Sequence, residues 1–162
     1  MSKKNFIKAK NPVQILPYDS HDDLRAIVRM AAESKSARFL PIATTMGYAQ
    51  YVEDGGWLYL IRTEKRIVGY MIFRRDEKSR QLHLDELVIR ESHRRRGYGQ
   101  KALLALEGRA KLWGSARICT SAVSERNVDA QRFLRDKGGF RCDPQRIVGT
   151  DELLLRFHRK IH

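Results

Sequence analysis

Residues 94–99 read Arg94-Arg95-Arg96-Gly97-Tyr98-Gly99, three guanidinium groups running into two closely spaced glycines. Glycine lets a turn carry its amides close to a ligand without a Cβ in the way, and arginine supplies countercharge to an anion. An apolar run, Leu84 to Ile89, precedes the string, and a run from Tyr98 to Trp113 with apolar residues three and four apart follows it. Strand, glycine turn and helix in that order aim the unpaired N–H groups of the helix start at the turn. The segment therefore predicts a pyrophosphate cradle for a nucleotide-type cofactor, built from Arg94, Arg95, Arg96, Gly97, Tyr98, Gly99 and Gln100.

The elements that must hold this cradle are legible on both sides. Val13 to Leu16 is a short strand candidate, and Ser20 offers an N-cap ahead of Asp22, Asp23 and the helical spacing of Leu24, Ile27, Val28 and Ala31. A less regular stretch, Ala37 to Gly56, contains a second short helix from Thr44 to Glu53. Strands are expected over Trp57–Thr63 and Ile67–Arg74, then a charged loop and the long strand ending at Ile89. The helix Tyr98–Trp113 closes at Gly114, a strand follows over Ala116–Val123, a last helix over Val128–Lys137, and a last strand over Glu152–His158. Strand, cradle helix and strand make a βαβ unit at the centre.

With Leu87-Val88-Ile89, a four-residue spacer, and Arg94-x-x-Gly97-x-Gly99 in place, the sequence resembles the GNAT superfamily of N-acetyltransferases, whose acyl-CoA-binding core carries an Arg/Gln-x-x-Gly-x-Gly/Ala motif. Asn127, Ala130, Phe133 and the Gly138-Gly139-Phe140 turn stand where that family has its last helix and the Gly-Phe after it, and Trp57–Ile61 and Ile67–Phe73 resemble its central hairpin. The resemblance runs over roughly residues 13 to 158. It implies an α/β fold with a mixed, mostly antiparallel sheet of six to seven strands flanked by about four helices. It also implies acetyl-CoA as cosubstrate and a primary amine as acceptor, with the pantetheine arm lying along the backbone of Leu87, Val88 and Ile89.

Acyl transfer from a thioester to an amine needs a base, worth typically ~10²–10⁴ in rate. His83, Asp85 and Glu86 are the candidates. Strict alternation puts His83 and Asp85 on one face of the strand and Glu86 on the other, a bulge would re-aim them, and Glu86 is preferred. The resemblance also implies a tyrosine in the last helix to protonate the departing thiolate, but Leu134 stands at that position, and an extra glycine lies in Gly138-Gly139. Water, Ser121, Cys119 or Ser124 would then serve as acid, with Ser121 the first choice; otherwise the chain is a catalytically weak acyl-CoA-binding or nucleic-acid-binding relative. Asn127 either meets the pantetheine arm or caps the last helix. The acceptor pocket is expected around Arg38, Phe39, Leu40 and Ile42, with help from the last hairpin.

The 162 residues suit one domain, with residues 1–12 a basic, mobile lead-in, and 42% apolar residues exclude wholesale disorder. There is neither a membrane-spanning run nor an apolar segment after the basic N-terminus, so the expectation is a cytoplasmic protein, monomeric or homodimeric, without membrane contact. Cys119 and Cys142 fit a reducing compartment, leave a disulfide open, and have no metal-ligand spacing around them. The net charge of +13, from 32 basic against 19 acidic residues, exceeds what CoA needs. It makes an acidic, nucleic-acid or ribosome-associated acceptor an option beside plain solubility.

Overall fold

The structure is a computed structural model and describes residues 13–143, 147–148 and 153–162. The expected lead-in, residues 1–12, and Glu152 of the expected last strand lie outside the described residues. The elements run β1 (Gln14–Pro17), α1 (His21–Glu33), α2 (Thr45–Glu53), β2 (Trp57–Arg62), β3 (Ile67–Asp76), β4 (Gln81–Ile89), α3 (Tyr98–Leu112), β5 (Arg117–Thr120), β6 (Val123–Ser124) and α4 (Val128–Arg132). After a π turn at Phe133–Lys137 come β7 (Arg141–Cys142), β8 (Ile147–Val148), β9 (Leu153–Leu155) and β10 (Phe157–Lys160). Seven strands form one sheet in the order β1-β2-β3-β4-β5-β10-β7, antiparallel except for the parallel β4–β5 pair, and β6-β9-β8 form a second, three-stranded sheet. This is the mixed α/β fold that the resemblance implied.

Local chemistry explains the boundaries. Ser20 accepts a hydrogen bond from the Asp23 amide at the start of α1, and Thr44 accepts one from Gly47 at the start of α2. Gly114, at φ 65°, ends α3 in the left-handed region, and the Arg80 guanidinium donates twice to its carbonyl, a cation at the negative end of the helix. The central strands are apolar on both sides because both faces of the sheet are covered. One core joins Phe73, Leu82 and Leu84 to Leu103 and Leu106 of α3; the other joins Leu58, Leu60, Tyr70, Ile72 and Val88 to Ile27 and Met30 of α1 and Tyr48 of α2.

Three expectations are corrected. The strand Ala116–Val123 is two strands, because β5 leaves the main sheet after Thr120 and Val123–Ser124 pair with β9 instead. The last strand is likewise divided at Arg156, with β9 in the small sheet and β10 between β5 and β7. The last helix is α-helical only to Arg132 and continues as the π turn, which takes up the extra residue seen in Gly138-Gly139 and still seats Phe140 in the core at 4% exposure. Among the described residues no helix is long and apolar enough to cross a membrane. Both cysteines are free thiols.

Candidate active site

Parallel pairing of β4 with β5 begins at Gln81↔Arg117 and ends at Leu84↔Thr120, sealed by the Ser121 amide donating to the Leu84 carbonyl at 3.1 Å. Beyond that point the two strands part. β4 continues to Ile89 while the other chain turns away into β6, so the edge of β4 from Asp85 onward faces a cleft of about 1090 Å³. Its walls are Leu84–Ile89, the turn into α3, Thr120–Ser124, the α4 region from Asn127 to Lys137, and Ser34 to Leu40 after α1.

The predicted cradle closes one end of this cleft. Arg94, Arg95, Gly97, Tyr98, Gly99 and Gln100 line it, and Arg96 is absent from the lining. The two glycines serve different needs. Gly97 sits at φ 82° as the N-cap residue of α3, with nothing within 4 Å of where a Cβ would project, so conformation alone calls for glycine. At Gly99 a Cβ would come within 2.9 Å of the Phe133 ring, so glycine there admits the last helix against α3. With no side chain capping α3, its first amides remain available to an anion. The Arg94 guanidinium is turned inward. It donates to the Ile89 carbonyl (3.2 Å) and to Ser34 Oγ (3.3 Å) and pairs with Glu91 (3.2 Å), stitching the cradle to the end of β4 and to α1.

The carboxylates are arranged by a bulge. Ile72 pairs with Glu86 and Phe73 with Leu84, leaving Asp85 as an extra residue in β4. The alternation therefore inverts at Asp85: Leu82 and Leu84 face the α3 core before it, and Leu87 and Ile89 face the same core after it. The expectation of Asp85 and Glu86 on opposite faces is corrected accordingly, since both reach α2. Tyr51 Oη donates to Asp85 Oδ2 at 2.6 Å, and Tyr48 Oη lies 2.9 Å from Glu86 Oε2, one helical turn away.

Asp85 collects the partners of an anion: Tyr51, the Arg74 guanidinium at 3.0 Å, and the Ser121 hydroxyl donating to Oδ1. Glu86 is buried, at 3% exposure, with Oε1 accepting from the Ile42 amide (3.2 Å) and Oε2 2.9 Å from both the Tyr48 and Tyr70 hydroxyls. Burial pushes its carboxyl above the usual range, and the hydrogen bonds reaching it oppose burial without cancelling it. Burial, reinforced by the adjacent carboxyls, likewise pushes the Tyr48, Tyr51 and Tyr70 phenols well up, so all three keep their protons at neutral pH.

The predicted catalytic residues Asp85, Glu86 and Ser121, the strand residues Leu87, Val88 and Ile89, and Asn127 all line the one cleft; His83 and Cys119 are not among its lining residues. Cys119 donates instead to Gln81 Oε1, and burial holds its thiol up and the His83 imidazole down. Asn127 caps α4 by accepting from the Ala130 amide (3.3 Å) while also lining the cleft. Leu134 is 5% exposed, part core and part cleft wall. Of the residues expected to build the acceptor side, Arg38, Phe39 and Leu40 line the cleft, as does Leu154 of the late hairpin; Ile42 is not among the lining residues and its amide donates to Glu86. Sequence reasoning missed Tyr48, Tyr51 and Tyr70. Its available signal was two tyrosines three apart on one helix beside adjacent carboxylates on a strand.

Residues 24–140 match the model of the acetyltransferase (GNAT) family. Among solved structures, a GNAT-family acetyltransferase from Desulfovibrio desulfuricans superposes with TM-score 0.78 at 11% identity, covering 93% of this chain and 100% of that one. An acetyltransferase from Thermus thermophilus gives 0.72 at 24% identity over 91% and 96% of the two chains. A Bacillus subtilis acetyltransferase in complex with CoA gives 0.66 at 17% identity over 94% and 100%. No curated protein sequence matches the chain.

Proposed function

The chain belongs to the GNAT acetyltransferase family, and from that premise we propose that it transfers an acetyl group from acetyl-CoA to a primary amine. The observation that carries the reading is the parting of β4 from β5 after Leu84, which leaves an unpaired strand edge running toward the uncapped N-terminus of α3. An extended pantetheine arm can pair with such an edge along Leu87, Val88 and Ile89, and the amides after Gly97 suit the pyrophosphate. The solved relative with CoA supports this use of the fold.

Bound at this place, the cosubstrate supplies the acyl group and a thiolate to leave. The chain must take a proton from the incoming ammonium, orient the amine, and return a proton. Asp85 and Glu86 both line the cleft, and we assign the first proton to Asp85 because its partners are donors of the kind an anion needs. This reading differs from the preference for Glu86 drawn from sequence, and the pH–rate profiles of Asp85→Asn and Glu86→Gln decide between them. Ser121, whose hydroxyl donates to Asp85, couples that carboxylate to the other cleft wall and is the side chain we assign to returning the proton.

A second reading, a catalytically weak acyl-CoA-binding relative, is favoured by one observation: a buried leucine at position 134 has no proton to give. Turnover separates the two. With acetyl-CoA and a panel of primary amines, a transferase releases CoA in an amine-dependent manner; a sensor binds acetyl-CoA and releases none.

A further inference from the structure

Four oxygens meet in the buried cluster behind the acceptor side of the cleft. Tyr48 Oη is 2.8 Å from Tyr70 Oη, 2.9 Å from Glu86 Oε2 and 2.9 Å from the Ile42 carbonyl; Tyr70 Oη is 2.9 Å from the same Oε2. Each of these four contacts is at hydrogen-bond length, and each is favourable to the extent that a proton lies between its oxygens. The carbonyl has none, and each phenol has one. With Glu86 ionised the cluster owns two protons for four contacts. Two pairs of lone pairs would then face each other at 2.8–2.9 Å among side chains that are buried, Tyr48 and Tyr70 fully and Glu86 at 3% exposure. With Glu86 protonated it owns three, and a continuous chain forms: Glu86 donates to Tyr70, Tyr70 to Tyr48, and Tyr48 to the Ile42 carbonyl, so that only the Tyr48–Glu86 contact is left without a proton of its own, against two contacts in the ionised state.

We propose that Glu86 rests as a neutral carboxylic acid at the head of this hydroxyl chain, and that the chain, together with the Ile42 amide bonded to Oε1, clamps the peptide of Ile42 and so fixes the segment bearing Arg38, Phe39 and Leu40. Glu86 is then a positioning residue of the acceptor wall. The surroundings agree. From α2 it is faced by Tyr48 and Tyr51, from β3 by Tyr70 and from its own strand by the Asp85 carboxylate, whose charge opposes a second one beside it. The buried charged residue of α1, Asp23, is occupied with Arg62 at 3.5 Å. Among the described residues no Lys, Arg or His pairs with Glu86. The segment's meaning as an acceptor wall rests on the transferase reading; the protonation of Glu86 does not.

Glu86→Gln tests it without cofactor or turnover. An amide in that position offers two N–H donors, one to each phenol, while Tyr70 donates to Tyr48 and Tyr48 to Ile42, so all four contacts fill. The expected result is a thermal midpoint for E86Q equal to or above that of the parent at neutral pH. A raised folded-state pKa gives stability that is complete below the unfolded value of about 4.3 and lost as pH rises through the folded value. The parent should therefore fall progressively behind E86Q as pH rises from the acid side. In the parent at neutral pH, difference infrared against E86Q should show the carbonyl stretch of a protonated acid. An E86Q protein less stable than the parent at neutral pH, or unable to fold, or a spectrum holding only carboxylate bands, would overturn the proposal.

Discussion

Asp85 and Glu86 are chain neighbours with opposite surroundings: Asp85 meets a guanidinium and two hydroxyl donors, Glu86 two buried phenols and an amide. In the roles proposed above, environment, not residue type, divides proton acceptor from neutral clamp. Asp85→Asn should lower kcat by about 10²-fold or more, with acetyl-CoA affinity retained, and should remove the rising limb of the pH–rate profile. Steady-state kinetics across pH checks this; a limb that survives in D85N and vanishes in E86Q would return the role to Glu86. The glycines offer a second contrast at this scale. Gly97→Ala places a side-chain residue at φ 82° and should cost about 1–2 kcal/mol. Gly99→Ala drives a Cβ at the Phe133 ring, 2.9 Å away, and should cost about 1–3 kcal/mol. Phe133→Leu should recover part of the Gly99→Ala loss and none of the Gly97→Ala loss, a coupling that denaturant unfolding of the double variants reads directly.

At the scale of elements, what the chain displayed was periodicity and punctuation. The cradle helix, its Gly114 stop, the Ser20-capped first helix and the central hairpin all follow from spacing or capping chemistry, and the structure has them within a residue or two. Three features escaped because pairing and packing decide them rather than spacing along the chain. The bulge at Asp85 is defined only by pairing with Ile72 and Phe73 across the sheet. The break between β5 and β6 exists because Val123 and Ser124 find Leu155 and Leu154. The π turn is a response to one extra residue between Leu134 and Phe140, where a Cβ on Gly138 would meet Phe140 at 2.8 Å and the Leu134 carbonyl at 2.9 Å. Gly138→Ala should accordingly destabilise the end of the last helix, seen as a lowered thermal midpoint and faster amide exchange over Phe133–Phe140. An unchanged midpoint would mean the turn is not under this packing constraint.

For the whole molecule, the fold brings residues from six stretches of chain, near positions 38, 86, 97, 121, 133 and 154, to one cleft, in a chain that belongs to the GNAT acetyltransferase family. A ligand that binds only the folded protein raises its stability by mass action. Acetyl-CoA at a hundred times its Kd should add about 2.7 kcal/mol, or roughly 5–10 °C for a chain of this size. The excess of positive charge predicts in addition that the apparent affinity falls with added salt. The measurement that bears most directly on the central claim is CoA release from acetyl-CoA by the purified protein, followed with a thiol reagent across a panel of primary amines. The account predicts release that requires both protein and amine, saturates in each substrate, and collapses in D85N. Tight acetyl-CoA binding with no amine-dependent release from any member of the panel would contradict it.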